Sequence, residues 1–248
     1  RFFTKFRMNA EKAPIKYRNQ QMSDTHFSPF ETNLDREVAL KNLRKATAGA
    51  DDGELFLERR RSEAMVFDDG RLKTASYDAS EGFGLRAVCG EVVGYAHSTE
   101  ISESALKRAT QTARLAVVDG GGTWADAPQA TNIKLYTDED PIAGASFPVK
   151  LDTLRAMDDF ARSLDKRVVQ VTASIAASIQ EIEILRPEGG SVRDIRPMTR
   201  VNVSIIVEKD GRRESGSAGG GGRVGLDGLV GPDQAVGTVP HRAVRGGI

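Results

Sequence analysis

The sequence predicts an α+β fold, with an antiparallel sheet and two main helices packed on one face. Runs that alternate apolar and polar residues, typical of strands, occur on both sides of a central region. Within that region, two segments have the 3.6-residue period of amphipathic helices. The strands follow one another through tight turns, without a helix between successive strands, which favours antiparallel pairing over βαβ units.

Composition limits the classes of protein to which this chain can belong. The 248 residues are 39% hydrophobic and 28% charged, as in a globular protein of one or two domains. Lys plus Arg equal Asp plus Glu at 35 each, and no apolar run approaches the roughly 20 residues that cross a bilayer. We therefore expect neither nucleic acid nor membrane as a partner. A single cysteine, Cys89, excludes an internal disulfide framework and predicts a cytoplasmic protein.

Residues 1–32 are predicted to form a basic tail, for which a targeting or nucleic-acid-binding arm is the alternative. A short amphipathic helix is then predicted over Leu34–Ala46, with Asn33 as its N-cap. The basic residues of the tail are Arg1, Lys5, Arg7, Lys12, Lys16 and Arg18.

The first group of predicted strands begins at Gly53. Asp69-Gly70 predicts a two-residue hairpin turn, because a type I′ turn needs positive φ. The charged run Glu58–Arg61 is interpreted as a solvated strand end, His97 as a structural or surface histidine, and Cys89 as a small buried core residue. The strands in this group are GELFLERRR, SEAMVF, RLKTASYDA, GFGLRAVCG and VVGYAHS.

The central region predicts two helices separated by a loop. Ser102 caps the first helix, near residues 102–118, and Gly120–Gly122 ends it. The proline-containing segment Thr123–Val149 is predicted to be a loop, and the second helix spans about Lys150–Leu164.

A second group of strands completes the predicted domain, residues 33–229. Asp210-Gly211 predicts another hairpin, into RRESGSAGG. Residues 230–248 have no sustained period and are predicted to be an irregular tail. The preceding strands are VVQVTASIA, IQEIEILRP, SVRDIRPMT and VNVSIIVEK.

Four consecutive glycines are the best candidate for a functional site. They allow close approach of a peptide backbone, and a packed turn explains them equally well. No Gly-Lys-Ser/Thr follows them, which argues against a nucleotide-binding loop. The candidates for lining a peptide cleft are Gly219, Gly220, Gly221 and Gly222.

Particular stretches of the chain resemble the TldD branch of the TldD/PmbA family. The resemblance covers roughly Asp51 to Leu229, and residues 230–248 lie outside the family pattern. It is carried by DKRVVQVTASIAAS, by RDIRPMTRVNVSIIVEKDGRRESGSAGGGGRVG and by GRLKTASYDASEGFGLRAVCGEVVGYAHS.

This resemblance implies a zinc metallopeptidase, of a family once described as modulators of DNA gyrase and linked to peptide-antibiotic maturation and antitoxin removal. Its subunits are expected to pair as a TldD-like and PmbA-like heterodimer. The family's zinc site lies in the C-terminal half and uses an H-E-x-x-x-H helix and a distant cysteine. His241 precedes Arg242 rather than Glu, and Cys89 does not correspond to the ligand cysteine.

No catalytic or metal residue of the family can therefore be assigned in this chain. We expect the truncated N-terminal fragment of a TldD-like peptidase, with no cofactor of its own and inactive alone. It would act on a peptide substrate with a PmbA-like subunit or its own C-terminal half. The alternative is a non-catalytic module that binds a peptide or a subunit at a sheet edge. A nucleotide-binding domain is the third, disfavoured class.

Overall fold

The computed structural model describes residues 26–115, 117 and 137–230. In these residues the chain forms one six-stranded sheet and five helices. No helix among them is long and apolar enough to cross a membrane. The elements in chain order are α1 (Pro29–Thr32), α2 (Arg36–Ala46), β1 (Asp52–Asp68), β2 (Arg71–Cys89), β3 (Val92–Ser98), α3 (Glu103–Leu115), α4 (Phe147–Leu164), β4 (Val168–Leu185), β5 (Ser191–Lys209), β6 (Arg212–Gly222) and α5 (Asp227–Val230).

All neighbouring strands pair antiparallel in the order β3-β2-β1-β4-β5-β6. Two three-stranded meanders, β1 to β3 and β4 to β6, therefore join side by side through β1 and β4. This confirms the predicted α+β class and the antiparallel sheet. The turns at Asp69-Gly70 and Asp210-Gly211 both have positive φ, at 48° and 76° and at 51° and 79°. Positive φ at both residues is what a type I′ hairpin turn requires.

The strands are longer and fewer than predicted. GELFLERRR and SEAMVF form the single strand β1, and the four segments after α4 form only β4 and β5. Ser62 does not interrupt β1, because β2 and β4 pair with it on both sides. Pro197 is tolerated inside β5 because β6 pairs only from Thr199 onward, so that the missing N–H lies at an edge.

Two helix starts differ from the prediction. Helix α2 begins at Arg36, and the carboxylate of Asp35, not Asn33, accepts the capping hydrogen bond from the Val38 N–H at 2.9 Å. Helix α4 begins at Phe147, three residues early, because Pro148 suits the first turn of a helix. The cap of α3 is confirmed, since Ser102 Oγ accepts from the N–H of Ala105 at 3.2 Å.

Several predicted features fall partly or wholly outside the described residues. Gly120–Gly122, most of the loop Thr123–Val149 and residues 231–248 lie outside them. Of the predicted basic tail, residues 1–25 lie outside, whereas residues 26–32 pack against the sheet. Phe27 is 4% exposed, and its N–H donates to Glu181 Oε1 at 2.8 Å, so the tail cannot extend to residue 32.

Two apolar clusters lie along β1, and both use its odd-numbered residues. Leu55 and Leu57 belong to the cluster beneath α2 and α3, and Met65 and Phe67 to the cluster beneath α4. Successive residues of a strand alternate between the faces of the sheet, so these four share the helix-covered face. Burial of this face supplies most of the hydrophobic stabilisation of the sheet.

Candidate functional site

The four candidate glycines lie on β6, at one edge of the sheet. Gly219–Gly222 pair with the stretch Thr199–Asn202 of β5. In the part of the chain that the structure describes, the other side of β6 has no paired strand. None of the four has the left-handed φ that favours glycine. Their role therefore depends on the space around them, not on backbone conformation.

That space differs from one glycine to the next. A Cβ at Gly219 would collide with Asn202 Oδ1, and one at Gly221 would lie 2.9 Å from the carbonyl oxygen of Thr199. A Cβ at Gly220 would meet nothing within 4 Å. Gly219 and Gly221 thus permit close packing against β5, as expected for a packed turn. Gly220 instead faces open space, as expected for a residue that lines a peptide cleft.

A buried charge cluster occupies the helix-covered face between the two apolar clusters. Its centre is Glu181, whose side chain is only 2% exposed. Glu181 Oε2 accepts from Arg59 Nε at 2.9 Å and Nη2 at 2.8 Å, and from Arg61 Nη2 at 3.3 Å. Arg61 also pairs with Asp140 Oδ2 at 2.8 Å. The cluster joins β1, β4 and the segment that precedes α4.

A second buried pair lies on the same face. The Nζ of Lys150 donates to Glu63 Oε1 at 2.9 Å and to the Ile142 carbonyl at 2.7 Å. The Asp140 carboxylate accepts from the N–H groups of Ile142 and Ala143. Residues 140–143 are thus held to the sheet from both sides by ionic hydrogen bonds, which are stronger than neutral ones.

The pKa of Arg61 reflects its two carboxylate partners. Burial alone would lower the pKa of Arg61, but the carboxylates of Asp140 and Glu181 raise it above its usual value. Arg61 therefore stays charged beside these two carboxylates. Each ion is compensated, which a buried charge requires. This arrangement suits positioning of the chain better than proton transfer.

The prediction of a solvated strand end at Glu58–Arg61 is wrong for two of its four residues. Arg59 and Arg61 lie on the covered face with side chains 23% and 13% exposed, whereas Glu58 and Arg60 lie on the other face. Strand alternation explains the split. The sequence alone does not give the phase of this run, because apolar residues of both parities flank it, among them Leu55, Phe56 and Leu57.

The uncovered face carries a cavity of about 370 Å³ beside β3. The ring of Tyr95 lies over Gly84, where a Cβ would be 2.9 Å from the tyrosine oxygen. His97 stacks on Tyr95 at 5.7 Å between ring centroids. Glu58 accepts from Gln180 Nε2 at 3.0 Å at the cavity wall. The cavity thus combines an aromatic pair with charged walls.

The described residues do not fit a zinc site. Among residues 26–115, 117 and 137–230, no group of three or more His, Cys, Asp and Glu side chains could hold a metal ion. Cys89 is confirmed as a buried core residue, 4% exposed, with its thiol 3.7 Å from the Gly49 carbonyl. His97 is exposed, as predicted, and His241 lies outside the described residues.

Curated relatives include two proteins named "Metalloprotease TldD homolog". The one from Buchnera aphidicola is 33% identical over 199 residues, covering 80% of this chain and 41% of the relative. The one from Haemophilus influenzae is 32% identical over 213 residues, covering 84% and 43%. The chain therefore spans less than half the length of the relatives that it matches.

Solved structures share the fold. TldE from Thermococcus kodakarensis has a TM-score of 0.63 at 20% identity, covering 84% of this chain and 46% of TldE. A Thermotoga maritima protein has a TM-score of 0.66 at 14% identity, covering 85% and 47%.

Two family models divide the chain. The PmbA/TldA metallopeptidase domain 1 matches residues 53–117, and the central domain of the same family matches residues 140–245. The second match extends past Leu229, so the expectation that residues 230–248 lie outside the family pattern does not hold as far as residue 245. The boundary between the two matches falls in the helical region between β3 and β4, although the six strands form one sheet. The chain belongs to the PmbA/TldD metallopeptidase family.

Proposed function

We propose that this chain supplies the framework of a TldD-like zinc metallopeptidase, whose zinc is bound by residues outside these 248. The observation that carries the proposal is the match to the first and central domains of the family. The described residues contain no group of side chains that could bind a metal ion. Zinc hydrolysis needs three protein ligands and a bound water. A chain without such ligands would be inactive alone.

The framework would act in proteolysis through a partner. We propose pairing in the cytoplasm with a PmbA- or TldE-like subunit, or with the C-terminal half of a TldD-like chain. The similarity to TldE in fold and to TldD homologs in sequence supports this choice of partner. The substrate would be a peptide or an unfolded protein.

A peptidase assay tests the proposal. The chain is incubated with fluorescein-labelled, reduced and carboxymethylated α-lactalbumin, an unfolded substrate, with and without added zinc. The Haemophilus relative serves as the control preparation. We expect no cleavage by the chain alone in either condition. Zinc-dependent cleavage by the purified chain would contradict the proposal.

A second candidate function, peptide or subunit binding without catalysis, is favoured by the β6 edge. No strand among the described residues pairs with the outer side of β6, and this side, together with the open space at Gly220, would admit an extended backbone as an added strand. The test is fluorescence anisotropy with the same labelled protein. Gly220→Val should weaken binding while the chain stays folded, since the new side chain meets nothing within 4 Å. Unchanged binding by this variant would remove the edge from consideration.

A further inference from the structure

A groove runs along β2 on the uncovered face, where the cavity of about 370 Å³ lies. Three alternate residues of β2 form its floor, and the three residues of β1 that pair with them form one wall, because paired residues share a face of the sheet. From the end near β3 the floor residues are Gly84, Gly82 and Ser80. In the same order the wall residues are Phe56, Glu58 and Arg60. Large side chains thus border a strand whose own side chains are small or absent.

The opposite wall is aromatic and flanks only one end of the groove. Tyr95 and His97 of β3 stack at 5.7 Å between ring centroids, and His97 pairs with Gly84. Strand β3 ends at Ser98, so no strand of the described residues continues this wall beside Ser80. An apolar group would therefore fit the end at Phe56, where aromatic rings border both sides.

Two opposite charges line the groove beyond its aromatic end. Glu58 comes first, and its carboxylate accepts from the neutral Gln180 amide at 3.0 Å. Arg60 follows two residues along β1 and is exposed. Glu81 also lines the cavity, but it pairs with Arg59, whose side chain lies on the covered face, so strand alternation directs the Glu81 side chain to that face. The order from the aromatic end is thus one carboxylate, then one guanidinium.

We propose that this groove binds a dipeptide with both of its ends free. The ammonium group would pair with Glu58 and the carboxylate with Arg60. A ligand with charge of one sign alone would meet a like charge at one of these positions, which costs affinity. Two residues of β1 span roughly 7 Å at about 3.3–3.4 Å per residue, and the ends of an extended dipeptide are separated by a similar length.

The same orientation places the N-terminal side chain of the dipeptide at the aromatic end. Because Glu58 is the neighbour of Phe56 on this face, a residue whose ammonium group lies at Glu58 has its side chain beside Phe56 and Tyr95. An apolar first residue should therefore be preferred. The cavity volume is within the range of small-ligand sites, about 300–1,000 Å³. The site involves neither zinc nor the β6 edge and so goes beyond the proposed function.

Isothermal titration calorimetry of the full chain tests the ligand class. The probes are the dipeptide Leu-Gly, its N-acetyl derivative, its C-terminal amide and free leucine. Leu-Gly should bind saturably, and each derivative should bind about tenfold or more weakly, because each lacks one charge-assisted contact. Free leucine should also bind more weakly, because it is too short to reach both charges. No saturable binding of Leu-Gly, or equal binding of Leu-Gly and its N-acetyl derivative, would overturn the proposal.

Two conservative variants assign the ends of the ligand. Glu58→Gln should bind Leu-Gly and its N-acetyl derivative equally, and Arg60→Gln should bind Leu-Gly and its amide equally. A merely structural role of either residue would weaken all probes alike and would contradict the assignment. The control is Arg200→Gln, an exposed arginine on the same face two strands away, which should behave as wild type. Circular dichroism verifies that each variant is folded.

A third variant tests the aromatic end. Tyr95 is 58% exposed, so its removal leaves the core intact. The wild-type chain should bind Leu-Gly more tightly than Gly-Gly, and Tyr95→Ala should lose most of this preference. An unchanged preference in Tyr95→Ala would contradict the proposed orientation. These titrations use neither zinc nor an unfolded protein substrate, so their failure is separate from failure of the proposed function.

Discussion

Removal of the Glu181 carboxylate should destabilise the chain more than removal of any exposed carboxylate. In Glu181→Ala, Arg59 loses both of its short contacts with Oε2, and the Phe27 N–H loses its acceptor. Breaking a buried ion pair costs about 3–5 kcal/mol when the partner charge stays buried. Arg61 keeps Asp140, and Arg59 is 23% exposed, so we expect the low end, about 3 kcal/mol.

Urea unfolding measures this loss. With a slope of about 2 kcal/mol/M, the midpoint should fall by about 1.5 M while the slope stays constant. The matched control is Glu58→Ala, on the neighbouring strand β1 opposite Ile182 and on the uncovered face, which removes a single hydrogen bond from Gln180. We expect the control to cost about 1 kcal/mol or less. Equal losses of unfolding free energy in the two variants would refute the argument that burial on the covered face makes the Glu181 carboxylate more important for stability.

Three further predictions follow from the same structure. Burial raises the pKa of the Glu183 carboxyl. The stability that this group contributes is therefore complete below about pH 4 and is lost as pH rises through the pKa of the folded state. Glu183→Gln should have a higher melting temperature than wild type at pH 7, and the two melting temperatures should be equal in acid. Gly219→Val should lower the melting temperature and Gly220→Val should not, because only the first new side chain collides with β5. Lys150→Met should cost about 2–4 kcal/mol in urea unfolding, because Glu63 stays partly buried without its ammonium partner; a cost below about 1 kcal/mol would contradict this.

The turns were predictable from the sequence because their chemistry is local. Asp-Gly pairs specify type I′ turns, and both were found where predicted. Strand lengths were not predictable in this way. The predicted breaks after Arg61 and after Thr199 do not occur, because pairing with neighbouring strands decides whether a strand continues, and pairing is not local.

The buried charge cluster around Glu181 was not predicted from the sequence, for a related reason. The run Glu58–Arg61 is uniformly charged, so its composition indicates a solvated face. Its division between the two faces depends on strand phase, and the compensating partners Glu181 and Asp140 lie about 80 to 120 residues away. The phase of β1 cannot be extrapolated from Leu55, because Phe56 beside it is also apolar, and the long-range partners become known only when the sheet order is known.

Zinc stoichiometry of the purified chain tests the central claim most directly. The claim is that these 248 residues form the framework of a metallopeptidase and do not themselves hold the metal. Mass spectrometry of the tag-free chain, dialysed after exposure to excess zinc, should give well below one zinc per chain, because no ligand set exists among the described residues. One tightly bound zinc per chain, retained through dialysis, would contradict the account.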